Sequence, residues 1–290
     1  MSWRIVVVSR RAKLDYKLNY LVVRGEETIR IHLSEISTLI VESTEVSLTA
    51  ALLAELTKNR VKVIFCDERR NPSSELVGYY GSHDSSAKIR GQIRWSAEGK
   101  GRAWTAIVSE KIRKQRDLLA KFGKPEAARL TEYLGAIAYN DATNREGHAA
   151  KVYFNALFGK DFSRSLETPT NAALNYGYAL MLSAVNREIV KSGFLTQLGI
   201  FHDNVFNPFN LGCDLVEPFR PLVDSWTLAK SPTQFEHEEK MEIVDLLNRQ
   251  VVIDDQTHYL NHAIGTYCRS VLDAISREDA SLIRFCQYEL

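Results

Sequence analysis

The residues best equipped for chemistry stand in two tracts, Thr-Asn-Arg-Glu-Gly-His-Ala-Ala-Lys-Val-Tyr-Phe from Thr143 and Cys-Asp-Leu-Val-Glu-Pro-Phe-Arg-Pro from Cys213. Each sets a carboxylate among basic and aromatic side chains, and His202 lies between them in Gly-Ile-Phe-His-Asp-Asn. Two carboxylates and an imidazole that converge can hold one divalent cation. Hard oxygen ligands with a single nitrogen suit Mg²⁺ or Mn²⁺ and leave positions open where the cation polarises a scissile phosphate and activates a hydroxyl or water. That is the chemistry of phosphodiester exchange or cleavage.

Every one of these residues also has an ordinary structural explanation. Glu146 follows Thr143 at capping-box spacing, so it could simply bond a helix-terminal N–H; Gly147 beside it, costly in a helix, favours a close backbone approach instead. His202 could be a satisfied loop histidine. Asp214 and Glu217, three residues apart, share one face of a helical turn, either toward a cation or as an acidic pair favoured by the helix dipole. Asp203 and His148 are further candidates. Other chemistries find no support: there is no P-loop, dinucleotide fingerprint, His-Glu-x-x-His or Gly-x-Ser-x-Gly motif.

The elements that must position these residues divide near residues 70–90. Before that point short alternating runs at 3–8, 14–23, 28–33, 38–41 and 61–66 predict strands, with a helix over 48–58 capped by Ser47. After it the period is helical. Trp104, Ile107, Val108, Ile112 and Leu119 line one face of a helix stopped by Gly123 and Pro125, and further helices are predicted over 125–139, 144–159, 171–192, 214–229, 233–249 and 258–277. Pro218 and Pro221 distort the opening of the 214–229 helix. The predicted fold is α+β: a β-rich domain over 1–74, a linker over 75–87 and an all-α domain over 88–290.

The chain has 290 residues, 45% hydrophobic and 25% charged, as in ordinary soluble globular proteins. No segment approaches the length needed to cross a bilayer, which predicts a cytosolic protein. Four scattered cysteines, Cys66, Cys213, Cys268 and Cys286, form no Cys-x-x-Cys pair, so reduced thiols are expected. The net charge of +1 conceals a basic block: residues 88–124 hold eleven Lys or Arg against three acids, with Trp95 and Trp104 among them. Such a segment can follow a phosphate backbone and offer aromatic faces, or be the solvated side of an amphipathic helix.

Longer tracts carry a resemblance. Asn-Arg-Glu-Gly-His-Ala-Ala-Lys-Val-Tyr-Phe-Asn from Asn144, Phe-Gly-Lys-Asp-Phe-Ser-Arg from Phe158, Asn-Tyr-Gly-Tyr-Ala-Leu from Asn175 and Glu-Pro-Phe-Arg-Pro-Leu-Val-Asp from Glu217 closely resemble the CRISPR-associated integrase of the spacer-acquisition module. Trp-Arg-Ile-Val-Val-Val, Ile-His-Leu-Ser-Glu-Ile and Val-Ile-Phe-Cys-Asp near the N-terminus are similar to the form found in type II systems.

The resemblance implies an N-terminal β-sandwich that dimerises and a C-terminal helical catalytic domain of a prokaryotic cytoplasmic protein. It implies a Mg²⁺ or Mn²⁺ ion held by Glu146, His202 and Glu217, with Asp214 as a secondary ligand candidate. Many members have Asp where this chain has Glu217. The implied reaction is insertion of short foreign DNA into a CRISPR array, the 3′-hydroxyl of the insert attacking a phosphodiester at each end of a repeat. Arg145, Lys151 and Arg220 are the expected phosphate contacts, and Lys111, Arg113, Lys114 and Arg116 of the basic block the expected contacts to duplex DNA. Implied partners are a second copy of the chain and a small ferredoxin-like adaptation protein, assembled as four integrase and two partner chains, together with the type II effector nuclease and a ring-shaped accessory. A hydrolytic DNA endonuclease and a non-catalytic DNA-binding scaffold are the alternatives.

Overall fold

The computed structural model describes residues 4–76, 78 and 82–288. Their contacts separate into two compact units that divide between residues 81 and 82. The first unit is built from β1 (Arg4–Val8), β2 (Ala12–Lys17), β3 (Tyr20–Arg24), β4 (Thr28–His32), β5 (Ile36–Val41), β6 (Val46–Leu48), α1 (Ala50–Lys58), β7 (Lys62–Cys66) and β8 (Pro72–Leu76). Two four-stranded sheets result, ordered β1-β5-β7-β8 and β4-β3-β2-β6. Leu14 and Leu21 from one sheet, Leu39 and Val63 from the other, and Leu52 and Leu56 from α1 share one core. This β-rich region of two sheets matches the predicted class.

Several local expectations change for identifiable reasons. The single strand expected over 14–23 is a hairpin, because Leu18 and Asn19 both take positive φ, 49° and 64°, as a two-residue primed turn requires. Ser47 does not cap a helix. It pairs with Lys13 in β6, and Thr49 is the cap, accepting the Leu52 amide at 3.3 Å. β8 begins at a proline and is largely polar, so it reads as loop; it lies at a sheet edge, where both features are tolerated.

The second unit contains α2 (Ser85–Ile93), α3 (Ala97–Lys121), α4 (Ala127–Gly135), α5 (Arg145–Phe158), α6 (Pro169–Lys191), α7 (Asn210–Val216), α8 (Arg220–Lys230), α9 (His237–Asp245), β9 (Gln250–Ile253), β10 (Gln256–Tyr259) and α10 (Leu260–Arg277). It is mainly helical rather than all-α: β9 and β10 form a hairpin through Asp254 and Asp255, both at positive φ. The helix expected over 214–229 starts earlier, at Asn210, and breaks at a 3-10 turn over Glu217–Phe219. The segment expected as one helix over 233–249 is helical only as α9 and a 3-10 turn.

α3 is the organising helix, packed against α4, α5, α8 and α10. Its predicted apolar face is the buried one: Trp104, Ile107, Val108, Ile112 and Leu119 are all core residues. Ser96 starts it, accepting the Gly99 amide at 2.9 Å. Among the described residues no helix is long and apolar enough to cross a membrane, and all four cysteines are free thiols.

Candidate active site

Glu146 is delivered by an unusual helix start. Asn140, Asp141 and Asn144 all take positive φ, which tightens the chain ahead of α5. Asn144 caps α5 by accepting the Gly147 amide, and the buried Asp141 carboxylate accepts the Arg145 and Glu146 amides at 2.8 and 2.9 Å. The capping-box explanation for Glu146 therefore fails: other residues satisfy the helix terminus. Its side chain instead reaches Lys111 on α3.

Glu217 stands in the 3-10 turn between α7 and α8, where Pro218 and Pro221 lack the N–H groups a continuous helix needs. It is 4% exposed. Its carboxylate contacts the same Lys111 ammonium and lies 3.1 Å from Arg220 Nη2. Burial alone would raise the Glu217 carboxyl, but Lys111 and Arg220 outweigh it and hold the group below the usual carboxylate range. For Lys111 burial works against the charge, and Glu217 and Glu146 together keep the ammonium above its ordinary value. Glu146 and Glu217 thus converge on one cationic point.

His202 is fixed by Asp214, which is fully buried and accepts four hydrogen bonds. The amides of Ile200, Phe201 and His202 donate to it at 2.7, 3.2 and 3.0 Å, and His202 Nδ1 bonds it at 2.6 Å. Neutral His202 then carries its proton on Nδ1 and leaves Nε2 free, the arrangement by which a carboxylate orients a metal-ligating imidazole. Asp214, the secondary ligand candidate, is committed to this loop. The bond to Asp214 raises the His202 pKa, opposed by burial and assisted by the charges of Asp214 and Glu217. Gly199 permits the approach, since a Cβ there would meet His202 O at 2.2 Å and Asp214 Oδ2 at 2.8 Å.

The basic block is divided between core and surface. Trp104 is 2% exposed and stacks on Phe201, centroids 4.4 Å apart and planes at 7°, so it supports the His202 loop and offers no face to a base. Trp95 is half-buried against Phe194. Lys111 and Lys114 are buried, Lys111 on the two carboxylates and Lys114 over the Tyr288 ring. In this conformation neither can follow a DNA backbone. Arg113 is exposed and pairs with Glu110; Arg116 is half-buried and pairs with Asp117. Arg145 lies over the Tyr133 ring, Lys151 is exposed on α5, and Asp203 and His148 are exposed.

A supporting cluster was not anticipated. Asp224 is buried on α8 and accepts hydrogen bonds from Tyr153 Oη at 2.8 Å and from Tyr178 Oη. The Tyr178 ring carries Arg220 at 4.8 Å and Arg164 at 5.3 Å. Two guanidinium groups are thereby presented from one buried carboxylate through one ring. Burial pushes Asp224 up to about 6, against the opposing bonds from Tyr178 and Tyr153.

As the side chains stand, no three His, Cys, Asp or Glu among the described residues are gathered as a metal cage. The donor set nevertheless fits a hard cation. Glu146 and Glu217 share one positive charge, that of Lys111, and His202 turns only Nδ1 to Asp214.

The family described as CRISPR associated protein Cas1 matches residues 5–240. The chain is 35% identical over 226 residues to a CRISPR-associated endonuclease Cas1 from Neisseria meningitidis, covering 77% of this chain and 74% of that protein. The chain belongs to the Cas1 family. Solved structures carry the same fold at low identity. A casposase bound to integration product superimposes with a TM-score of 0.77 at 16% identity, over 96% of this chain and 92% of that one. A Cas6-RT-Cas1–Cas2 complex matches with a TM-score of 0.74 at 15% identity, covering 97% of this chain and 36% of that longer chain. The Cas1 fold thus accounts for both the two-sheet unit and the mainly helical one.

Proposed function

We propose that this chain is a divalent-metal-dependent DNA integrase that inserts short foreign DNA into a CRISPR array during adaptation, in the form used by type II systems. The observation that supports it most is the convergence of Glu146 and Glu217, from elements far apart in sequence, on a single cation beside a carboxylate-oriented His202. Glu146, His202 and Glu217 would hold Mg²⁺ or Mn²⁺, which when bound supplies polarisation of the scissile phosphate and activation of the attacking hydroxyl.

The remaining work falls to the chain itself. The 3′-oxygen of the insert forms a bond to phosphorus as the bond to the 3′-oxygen of the target strand breaks. One proton leaves the attacking hydroxyl and one returns to the released hydroxyl. Bond types balance, so the protein needs to position two DNAs and stabilise charge on the transferring phosphoryl group. Arg220, braced on Tyr178 and paired with Glu217, would meet that charge, with Arg145 and Lys151 as further phosphate contacts. The proposal includes dimerisation through the N-terminal unit and a small ferredoxin-like partner bridging two dimers. The effector nuclease and ring-shaped accessory assist in the prokaryotic cytoplasm. The solved Cas6-RT-Cas1–Cas2 complex, which shares this fold, is consistent with a small partner of this kind.

The name endonuclease, given to the Neisseria relative, favours a second reading in which water replaces the 3′-hydroxyl. A strand-transfer assay separates the two. Protein, small partner, a duplex with free 3′-hydroxyls and a plasmid carrying leader and repeat are combined with Mn²⁺ or with EDTA. Metal-dependent joining at the repeat boundary, lost in folded Glu146→Ala and His202→Ala variants, is expected. Shortened fragments without joining would establish hydrolysis, and joining by both variants would remove the site assignment.

A further inference from the structure

Lys111 occupies an expensive position. It lies on the buried face of α3, one turn beyond Ile107 and two beyond Trp104, and is 6% exposed. A lysine withdrawn from water in this way persists when its charge is matched, and here it is matched twice, by Glu146 from α5 and Glu217 from the turn before α8. Arg220 adds a second positive charge against Glu217. The four groups together are neutral. A neutral cluster offers a dication little net attraction, whereas the two carboxylates and Arg220 without Lys111 carry a net negative charge.

We propose that Lys111 is a resident counter-cation of the metal centre: its ammonium bridges Glu146 and Glu217 in the metal-free protein, and a divalent cation enters by displacing it. The inference rests on the assignment of these two carboxylates as metal ligands. It explains how two acids can be held close together before any metal binds, and why no ready-made cage of three ligands is present among the described residues. It also makes Lys111 a positioning residue that sets metal affinity, distinct from the exposed arginines of the same helix.

The test is Mn²⁺ binding to the metal-free full-length protein, measured by the paramagnetic resonance of free Mn²⁺. Lys111→Gln, which keeps polar donors, and Lys111→Met should each bind Mn²⁺ at least about tenfold more tightly than the parent, because one unit charge is removed within ion-pair distance. Lys111→Arg, which keeps the charge, should stay near the parent. Unchanged or weaker binding in folded Lys111→Gln and Lys111→Met, with binding still dependent on Glu146 and Glu217, overturns the role of Lys111 alone. Mn²⁺ binding indifferent to Glu146→Gln and Glu217→Gln overturns the ligand assignment itself.

A measurement on the unaltered protein decides the matter if the variants do not fold. Reductive methylation followed by mass spectrometry should leave Lys111 protected without metal and label it when Mn²⁺ saturates the site, with the exposed Lys121 as reference. Unchanged Lys111 labelling on metal binding overturns the displacement.

Discussion

Asp224 makes folding stability depend on pH in a direction opposite to that of carboxylates held by ion pairs. Its ordinary value is near 3.8, and the folded protein raises it to about 6. A carboxyl raised on folding binds its proton more tightly in the native state than in the unfolded one. Its contribution to stability is therefore greatest below the ordinary value and is lost as pH rises through the folded value. The window runs from 3.8 to about 6. At roughly 1.4 kcal/mol per pKa unit, ionising Asp224 removes about 3 kcal/mol across it. Asp224→Asn abolishes that titration while keeping an acceptor for one of the two tyrosines. Urea unfolding of both proteins from pH 4 to pH 7.5 isolates the term, because the other carboxylates cancel in the difference. The parent should lose about 2.4 kcal/mol relative to the variant between pH 4 and pH 7, because part of the full term already lies below pH 4. A difference that stays flat, or that moves in the parent's favour as pH rises, would refute the account of Asp224 as a carboxyl made reluctant to ionise by burial.

Other expectations follow from neighbouring contacts. The raised His202 pKa means that its pairing with Asp214 contributes stability below the ordinary histidine value and loses it as pH rises through the folded value; NMR titration of the ring should show this, and Asp214→Asn should shift the midpoint down. Gly199→Ala forces a Cβ onto His202 O and should cost about 1–3 kcal/mol in chemical denaturation while disordering the His202 ring signal. Trp104→Ala removes the ring that supports Phe201 and should destabilise by about 3–5 kcal/mol; strand transfer that survives intact in the folded fraction would detach the His202 loop from this support.

The class of the fold was legible because it rests on a local pattern, and the candidate site residues stood out because they sit in distinctive tracts. Alternation, helical period and the tracts around Glu146 and Glu217 survive without knowledge of what packs against what. What was hidden depends on tertiary pairing. Lys111 counted as one cation in a basic run, although its phase with Trp104 and Ile107 puts it on the apolar face, where a cation signifies a buried partner. Asp141 carries no motif and Asp224 merely closes the tract that begins at Glu217; the value of both lies in the amides and hydroxyls that other segments bring to them. Glu146 at capping spacing from Thr143 was ambiguous until the left-handed Asn144 took the cap. The hairpin turn at Leu18-Asn19 was obscured because leucine seldom takes positive φ.

The four bonds accepted by Asp214 give the His202 segment an unusual clock. Outside regular helix and strand, backbone amides commonly exchange with solvent deuterium quickly, yet those of Ile200, Phe201 and His202 all end on a carboxylate that water does not reach. Their exchange must await an opening that breaks several bonds at once, so protection here should resemble that of a core helix. The His202 imidazole, itself bonded to the same carboxylate, is thereby mounted on a backbone segment whose opening should be as rare as that of the core.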